Sequence, residues 1–348
     1  MATILLTGGG TAGHCTPNIA LLPYLKKYFD KIYYVGSNGI ERKLIKNTKI
    51  KYYTIDCAKL YRKITLKNLK IPFVLLKSIK QSKKIINETK PDVIFSKGGY
   101  VAVPTVIAGY KKGIPVISHE SDLTVGLANK ITSKYCKTVL TSFKETCKQI
   151  PNGKYVGPPL RQELFTAKKN YNNFGFDNSK PVLLVTGGSQ GAQSINIHLR
   201  KIIPELIKTF NVLHLCGKDN IDNNFHIKEY CQLEYLTEIE KAYAIADVCV
   251  TRAGSNTLFE LLALNIPCLV IPLPKGISRG DQVLNANYFY NKKLVNLLEQ
   301  DNLSSNSLLK SITDTYSKRQ YYINNLNKFN VKNSCEDIAK ILINSVKD

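Results

Sequence analysis

The chain has 348 residues, and its 49 Lys+Arg against 26 Asp+Glu give a formal net charge of +23 at pH 7. At 44% hydrophobic and 22% charged it is neither a disordered nor a fibrous sequence, and roughly 100–200 residues per domain predicts two domains with separate cores. Residues 1–160 hold 27 basic and 8 acidic side chains (+19), residues 161–348 hold 22 and 18 (+4), so the basic surface belongs mainly to the first half.

Strand-like runs come in chain order at 3–8, 31–36, 51–57, 92–97, 115–120 and 138–143, separated by helix-length segments. Such runs, apolar on both faces, are expected of a parallel sheet covered by helices. A Pro-, Gly- and Asn-rich stretch at 151–181 reads as the linker. Strands then resume at 181–187, 211–217, 247–252 and 267–273, with helices over 191–209, 238–246, 255–264 and 281–292. The fold class expected is α/β, two Rossmann-like parallel-sheet domains (1–160 and 161–348) facing across a cleft.

No apolar run reaches the roughly 18–20 residues of a membrane span, and no basic leader precedes the first strand, so a cytosolic location is expected. The nine cysteines are scattered without a C-x-x-C pair, which argues for free thiols in a reducing compartment and against a disulfide framework or zinc site.

Three glycine-bearing turns stand at strand ends: Gly8–His14 (GGGTAGH), Gly187–Gly191 (GGSQG), and Arg252, Gly254 and Ser255 before a helix carrying Glu260. Glycine there lets backbone approach a ligand, and the following helix N-terminus attracts an anion. Neither the dinucleotide spacing nor a P-loop is present. His119, Glu120 and Asp122 follow the fifth strand and are expected to face the same side as His14. Asp122 reads equally as a cap for a helix near Leu123, and Glu260 as a solvent-facing carboxylate. No D-x-D occurs, so the usual carboxylate pair for a divalent metal on a nucleotide-sugar is missing.

Together the segments GGGTAGH, FSKGGYVAVPTVIA, PVISHESDLTVGLANK, VGPPLR, VTGGSQGAQSIN, TRAGSNTLFELLALNIPCLVIP and GDQVLNAN resemble the MurG family of N-acetylglucosaminyltransferases, which convert lipid I to lipid II in peptidoglycan synthesis. The resemblance implies a GT-B fold whose last helix crosses back to the first domain, and an inverting transfer without metal or cofactor. Matched positions imply diphosphate contacts at Ser189, Thr11 and Gly13, a nucleotide-side arginine at Arg161, and uracil read by the backbone of Leu236. They also imply ribose on Glu260, and sugar hydroxyls on Gln282 beside Asp281. Ala12, Asn196, Arg252, Ser255, Asn256, Thr257, Leu258 and Phe259 fall at further substrate positions. His14, Tyr100, Glu120, Asp122 and Asn129 fall on the acceptor side. His14 is the first candidate for general base, since a histidine's ordinary pKa of about 6.5 suits neutral pH; Glu120 or Asp122 is the reserve. Two departures are Ala12, where the family has Gly, and HESD for HEQN, which puts an acid at 122 in place of an amide.

Residues 57–87 hold nine Lys/Arg and no acid. From Pro72 on they read as a helix with Leu75, Leu76, Ile79 and Ile86 on one side and Phe73 and Val74 as exposed candidates. Attachment to the anionic cytoplasmic face of the cell membrane and an ordinary solvated helix face both fit this pattern. Competing functions are another UDP-sugar enzyme of the same architecture, such as a glycolipid synthase or 2-epimerase, and a nucleic-acid binder. The last is disfavoured by the acids at strand ends and by the absence of zinc-finger or RNP motifs.

Overall fold

The computed structural model describes residues 2–58, 71–188, 191–276 and 280–347, and the chain divides into two units, Met1–Arg161 with Asn333–Asp348, and Gln162–Lys332. The first unit alternates β1 (Thr3–Thr7), α1 (Thr16–Leu25), β2 (Lys31–Gly36), α2 (Ile40–Lys46), β3 (Lys51–Thr54), α3 (Ile71–Thr89), β4 (Val93–Ser96) and α4 (Val103–Lys111). It continues with β5 (Val116–Glu120), α5 (Leu127–Thr132), β6 (Thr138–Thr141), α6 (Lys144–Cys147) and β7 (Gly153–Tyr155). Ile4, Leu5 and Leu6 are fully enclosed, which is why β1 shows no polar alternation. The strand order is β3-β2-β1-β4-β5-β6-β7, parallel throughout among the described residues.

The second unit holds α7 (Glu163–Thr166), β8 (Val182–Thr186), α8 (Gln193–Leu206), β9 (Asn211–Leu215), β10 (Tyr230–Leu233), α9 (Ile239–Ile245), β11 (Val248–Thr251) and α10 (Ser255–Ala263). Then come β12 (Cys268–Val270), α11 (Asp281–Asn291), β13 (Asn296–Leu297), α12 (Ser305–Ser317) and α13 (Arg319–Phe329). Its strand order is β10-β9-β8-β11-β12-β13, again parallel. In both sheets the order reverses beside the unit's first strand, between β1 and β4 and between β8 and β11. Loops leaving those strands therefore stand side by side at the carboxyl edge, where doubly wound sheets take their ligands.

The last helix, α14 (Cys335–Lys347), belongs to the first unit. Cys335, Ile338, Ala339 and Leu342 join one core cluster with Leu21, Leu22 and Leu25 of α1. Asn333 exchanges hydrogen bonds with the Leu160 backbone at 2.8 and 3.0 Å, and Ser334 Oγ donates to the Gly157 carbonyl at 3.0 Å.

Several sequence expectations change. β7 lies inside the stretch read as linker, while β10 and β13 went unseen because both are short and half-buried. α3 begins at Ile71 and turns Ser78, Ser82, Ile85 and Ile86 inward; Leu76, expected on the buried side, is 66% exposed beside Phe73 at 75%. Five of the nine basic residues of that stretch, at 59, 62, 63, 67 and 70, lie outside the described residues. All nine thiols are free, six buried and three half-buried.

Because Leu342 is wholly enclosed, Leu342→Ala is expected to cost about 2–5 kcal/mol. Urea unfolding checks this, and an unchanged midpoint would detach α14 from the first unit's core.

Candidate active site

Thr7 of β1 pairs in register with Ser96 of β4, so the loops that follow, Gly8–His14 and Lys97–Tyr100, are neighbours. Each lays a ring on the other's glycine backbone. A Cβ on Gly10 (φ +86°) would stand 2.5 Å from the Tyr100 ring. One on Gly99 (φ +80°) would meet the Gly9 carbonyl and stand 3.3 Å from Cγ of His14. Both positions need glycine twice over, for the left-handed φ and for the space taken by the Tyr100 ring at Gly10 and by the Gly9 carbonyl at Gly99. His14 is further oriented by Nδ1, 2.8 Å from Thr11 Oγ1.

Buried polar groups hold this pair of loops from below. Tyr34 donates its hydroxyl to the Gly8 carbonyl at 2.7 Å, and Asn18 Nδ2 donates to the Thr7 carbonyl at 3.2 Å. Glu41, fully buried, accepts from the backbone N–H groups of Gly10 (3.2 Å) and Ser37 (2.9 Å). Sequence reasoning passed over all three, since each lies an element away from the glycine motif it supports.

Glu120 ends β5. Its Oε1 accepts from the N–H groups of Ser121 (2.9 Å) and Asp122 (3.1 Å), its Oε2 from Gly126 N–H (2.8 Å) and Asn129 Nδ2 (2.9 Å). Four N–H donors around two oxygens suit an ionised carboxylate; burial and then the charge of Asp122 raise its pKa, and these bonds oppose the rise. Glu120 therefore shapes the 121–126 turn and orients Asn129, with its lone pairs committed. Asp122 does not cap a helix, because α5 starts only at Leu127 behind Gly126. His119, expected to face outward with them, is fully buried with Nε2 3.3 Å from the Gly157 carbonyl; burial first and Lys97 second hold it neutral. Lys97, unmarked by sequence reasoning, is also buried and donates to Ser121 Oγ.

In the second unit Thr186 pairs with Thr251, so the chain leaves both strands side by side at Gly187 and at Arg252. Ser189 lies outside the described residues. Arg252, 7% exposed, donates to the Ile271 carbonyl (3.0 Å) and to Ser194 Oγ (2.8 Å) in the first turn of α8. Burial pushes it down to about 10, so it remains a cation at neutral pH. It is an internal strut rather than a surface contact.

Asn196 is likewise turned inward at 2% exposure, bonding the Cys216 carbonyl (2.8 Å) and His214 Nε2 (3.0 Å), whose Nδ1 meets the Tyr230 hydroxyl at 2.8 Å. Burial drives His214 down to about 3, so this tie stays neutral. Leu258 and Phe259 are core residues, Phe259 edge-on to Phe289 at 5.4 Å, and neither side chain is available to a ligand.

What α10 offers is the positive end of its dipole at Ser255, Asn256 and Thr257, with Glu260 one turn further on. The half-buried Glu260 accepts from the Tyr243 hydroxyl at 3.3 Å. Gln282 Oε1 accepts from Leu273 N–H at 3.1 Å, and Asn285 ties α11 to the Ala253 carbonyl at 3.3 Å, which brings Asp281 and Gln282 to the α10 loop. Leu236 is half-buried between β10 and α9, and Arg161, also half-buried, is the last residue of the first unit before the crossing.

Residues 4–141 match the glycosyltransferase family 28 N-terminal domain, and residues 182–342 its C-terminal domain. A Clostridium botulinum (strain Alaska E43) protein named UDP-N-acetylglucosamine–N-acetylmuramyl-(pentapeptide) pyrophosphoryl-undecaprenol N-acetylglucosamine transferase is 44% identical over 352 residues, covering 99% of this chain and 98% of that protein. The Clostridium perfringens (strain SM101) protein of the same name is 45% identical over 346 residues, 97% of each. Among solved structures, Acinetobacter baumannii MurG superposes with a TM-score of 0.75 at 22% identity over 98% of this chain and 99% of that one. A Listeria monocytogenes protein described as a UDP-N-acetylglucosamine 2-epimerase reaches 0.69 at 12% identity, covering 99% and 95%. At these identities the structural likenesses speak for the fold alone.

Replacing one oxygen of Glu120 by an amide turns N–H donors against N–H donors, so Glu120→Gln is expected to cost about 2–4 kcal/mol in thermal or urea unfolding. Wild-type stability in that variant would show that the carboxylate does not hold the turn.

Proposed function

Because this chain belongs to glycosyltransferase family 28, we propose that it moves N-acetylglucosamine from UDP-N-acetylglucosamine to the C4 hydroxyl of the N-acetylmuramyl unit of undecaprenyl-diphosphate-linked muramyl-pentapeptide (lipid I), forming lipid II for peptidoglycan synthesis. The likeness at 44–45% identity along nearly the whole chain to transferases of that name carries this reading. The epimerase likeness is one of fold.

On the donor side, the second unit supplies two helix N-termini, α8 and α10, for the diphosphate of UDP, with the Arg252 cation beside the first turn of α8. Glu260 accepts from the two vicinal ribose hydroxyls, a task suited to one carboxylate, and Tyr243 fixes its orientation. The Leu273 bond to Oε1 of Gln282 leaves the amide N–H groups to read the sugar hydroxyls. Departure of UDP is eased by these fixed N–H groups and by Arg161, without a metal. Transfer in the presence of EDTA is therefore expected to match transfer without it.

On the acceptor side, Tyr100 and Asp122 line the muramyl unit, while Asn129, expected there, is buried behind them on Glu120 and Ser118; His14 takes the proton of the C4 hydroxyl as it attacks the anomeric carbon. Placing the resident proton on Nδ1, toward Thr11, presents the lone pair of Nε2 to the hydroxyl. Attack opposite to the departing UDP inverts the α linkage to a β-1,4 bond.

No helix among the described residues is long and apolar enough to cross a membrane. The first unit instead exposes Phe73, Leu76, Tyr110, Leu127 and Ile131 on the adjoining helices α3, α4 and α5, together with Lys77, Lys80 and Lys84 on α3. This face suits peripheral attachment to an anionic membrane carrying the acceptor, with each lysine near the surface worth about 1 kcal/mol.

Two measurements test these assignments. Transfer of labelled sugar to lipid I by His14→Ala should fall about 10²–10⁴-fold in kcat with donor KM nearly unchanged, whereas Glu260→Ala should raise donor KM. Equal effects of both on donor KM would refute the division of roles. The double substitution of Phe73 and Leu76 by Ser should weaken sedimentation with anionic vesicles at least tenfold and spare transfer to a short-chain soluble acceptor; unchanged sedimentation would reject the face.

A further inference from the structure

Lys97 is the least expected residue of the acceptor side. It is 2% exposed, and its side chain starts under the first glycine loop, where a Cβ on Gly8 would stand 3.1 Å from Lys97 Cβ. Its backbone N–H donates to the Thr7 carbonyl at 2.9 Å, and its ammonium donates to Ser121 Oγ on the turn shaped by Glu120. Ser121 is itself buried, and among the described residues it is the hydrogen-bond partner of this ammonium. An ammonium has three donors, so the site encloses a cation with little direct compensation, at a cost to stability that a methionine of similar length would avoid.

Nothing in the packing requires a charge at this point. Burial acts on this charge most strongly and pushes the group down to about 8, and the carboxylates of Glu120 and Asp122 act against burial. The other titratable neighbour is His119, which Lys97 helps to hold neutral; from the glycine loop above, the His14 backbone carbonyl comes down beside Gly8. Without the cation, the turn that carries both acids would lose its side-chain tie to the strand end beneath the first glycine loop.

We propose that Lys97 is a positioning residue of the acceptor half-site: its buried ammonium ties the Ser121–Asp122 turn beneath the first glycine loop and places one positive charge behind that turn, on the side from which the acceptor's diphosphate approaches. The proposal rests on the transferase reading above, which wild-type transfer tests separately. Lys97 touches no reacting atom, and its effect passes through Ser121, Asp122 and the loop that carries His14.

The test is the pH dependence of kcat/KM for lipid I in the full-length wild type, Lys97→Met and Lys97→Arg, with donor KM measured alongside. Wild type is expected to lose acceptor kcat/KM above about pH 8, where Lys97 gives up its proton. Lys97→Met should lie at least 30-fold lower at pH 7, keep donor KM within about twofold, and lack that alkaline limb. Lys97→Arg, which keeps its charge at all accessible pH, should recover to within about fivefold of wild type and move the limb upward. A Met variant with wild-type acceptor kcat/KM, or with donor and acceptor constants damaged alike, would overturn the proposal. If the Met variant does not fold, the Arg variant decides: a limb that stays near pH 8 overturns it, and one that moves up supports it.

Discussion

A ring can come this close to a backbone only where that backbone carries no side chain, and the first unit has two such places. Tyr100 from the loop after β4 covers Gly10, and His14 from the loop after β1 covers Gly99. The exchange is possible because β1 and β4 are adjacent and in register, which is in turn a consequence of the reversal of strand order at that point. Neither loop can move without carrying the other's ring. Tyr100 and the proposed base His14 are thus held by main-chain geometry, which is stiffer than side-chain packing.

Below this surface lies a second set of polar groups whose business is with backbone. Glu41 and Glu120 in the first unit, Asn196 and Arg252 in the second, are all buried and all spend hydrogen bonds on loops at the carboxyl edge. Each would be costly if its partner moved away, so each penalises loop displacement by the price of an unsatisfied buried group. Residues such as Arg252 and Asn196 look like ligand contacts in the sequence because they sit in the right loops, yet they act one layer deeper. Of the residues marked in the sequence, those left at least partly exposed are fewer and include Thr11, His14, Tyr100 and Asp122 in one unit, Glu260 and Gln282 in the other, and these are proposed to meet substrates.

The two parallel-sheet domains were legible because buried parallel strands are unbroken apolar runs and the glycine clusters are local in sequence. β7, β10 and β13 were not, since a strand of two to four residues, mostly half-buried or exposed, carries too little pattern. Lys97 and Glu41 were hidden for another reason. A lysine or a glutamate reads as solvated until strand pairing shows that it is enclosed, and that pairing joins segments almost 90 residues apart for β1 and β4. His119 illustrates the converse: one residue before Glu120, it points to the opposite side of β5, as the two-residue strand period dictates, and ends in the core.

The claim that carries most weight is that the exchange of rings between glycine loops positions the acceptor chemistry and leaves donor binding to the second unit. Gly99→Ala puts a methyl group against the Gly9 carbonyl and beside the His14 ring, at a backbone φ that alanine disfavours. Steady-state transfer by that variant, with donor and acceptor varied separately, should show kcat reduced at least 100-fold and donor KM within about threefold of wild type. A variant that retains wild-type kcat, or whose loss appears mainly as a raised donor KM, would contradict the account.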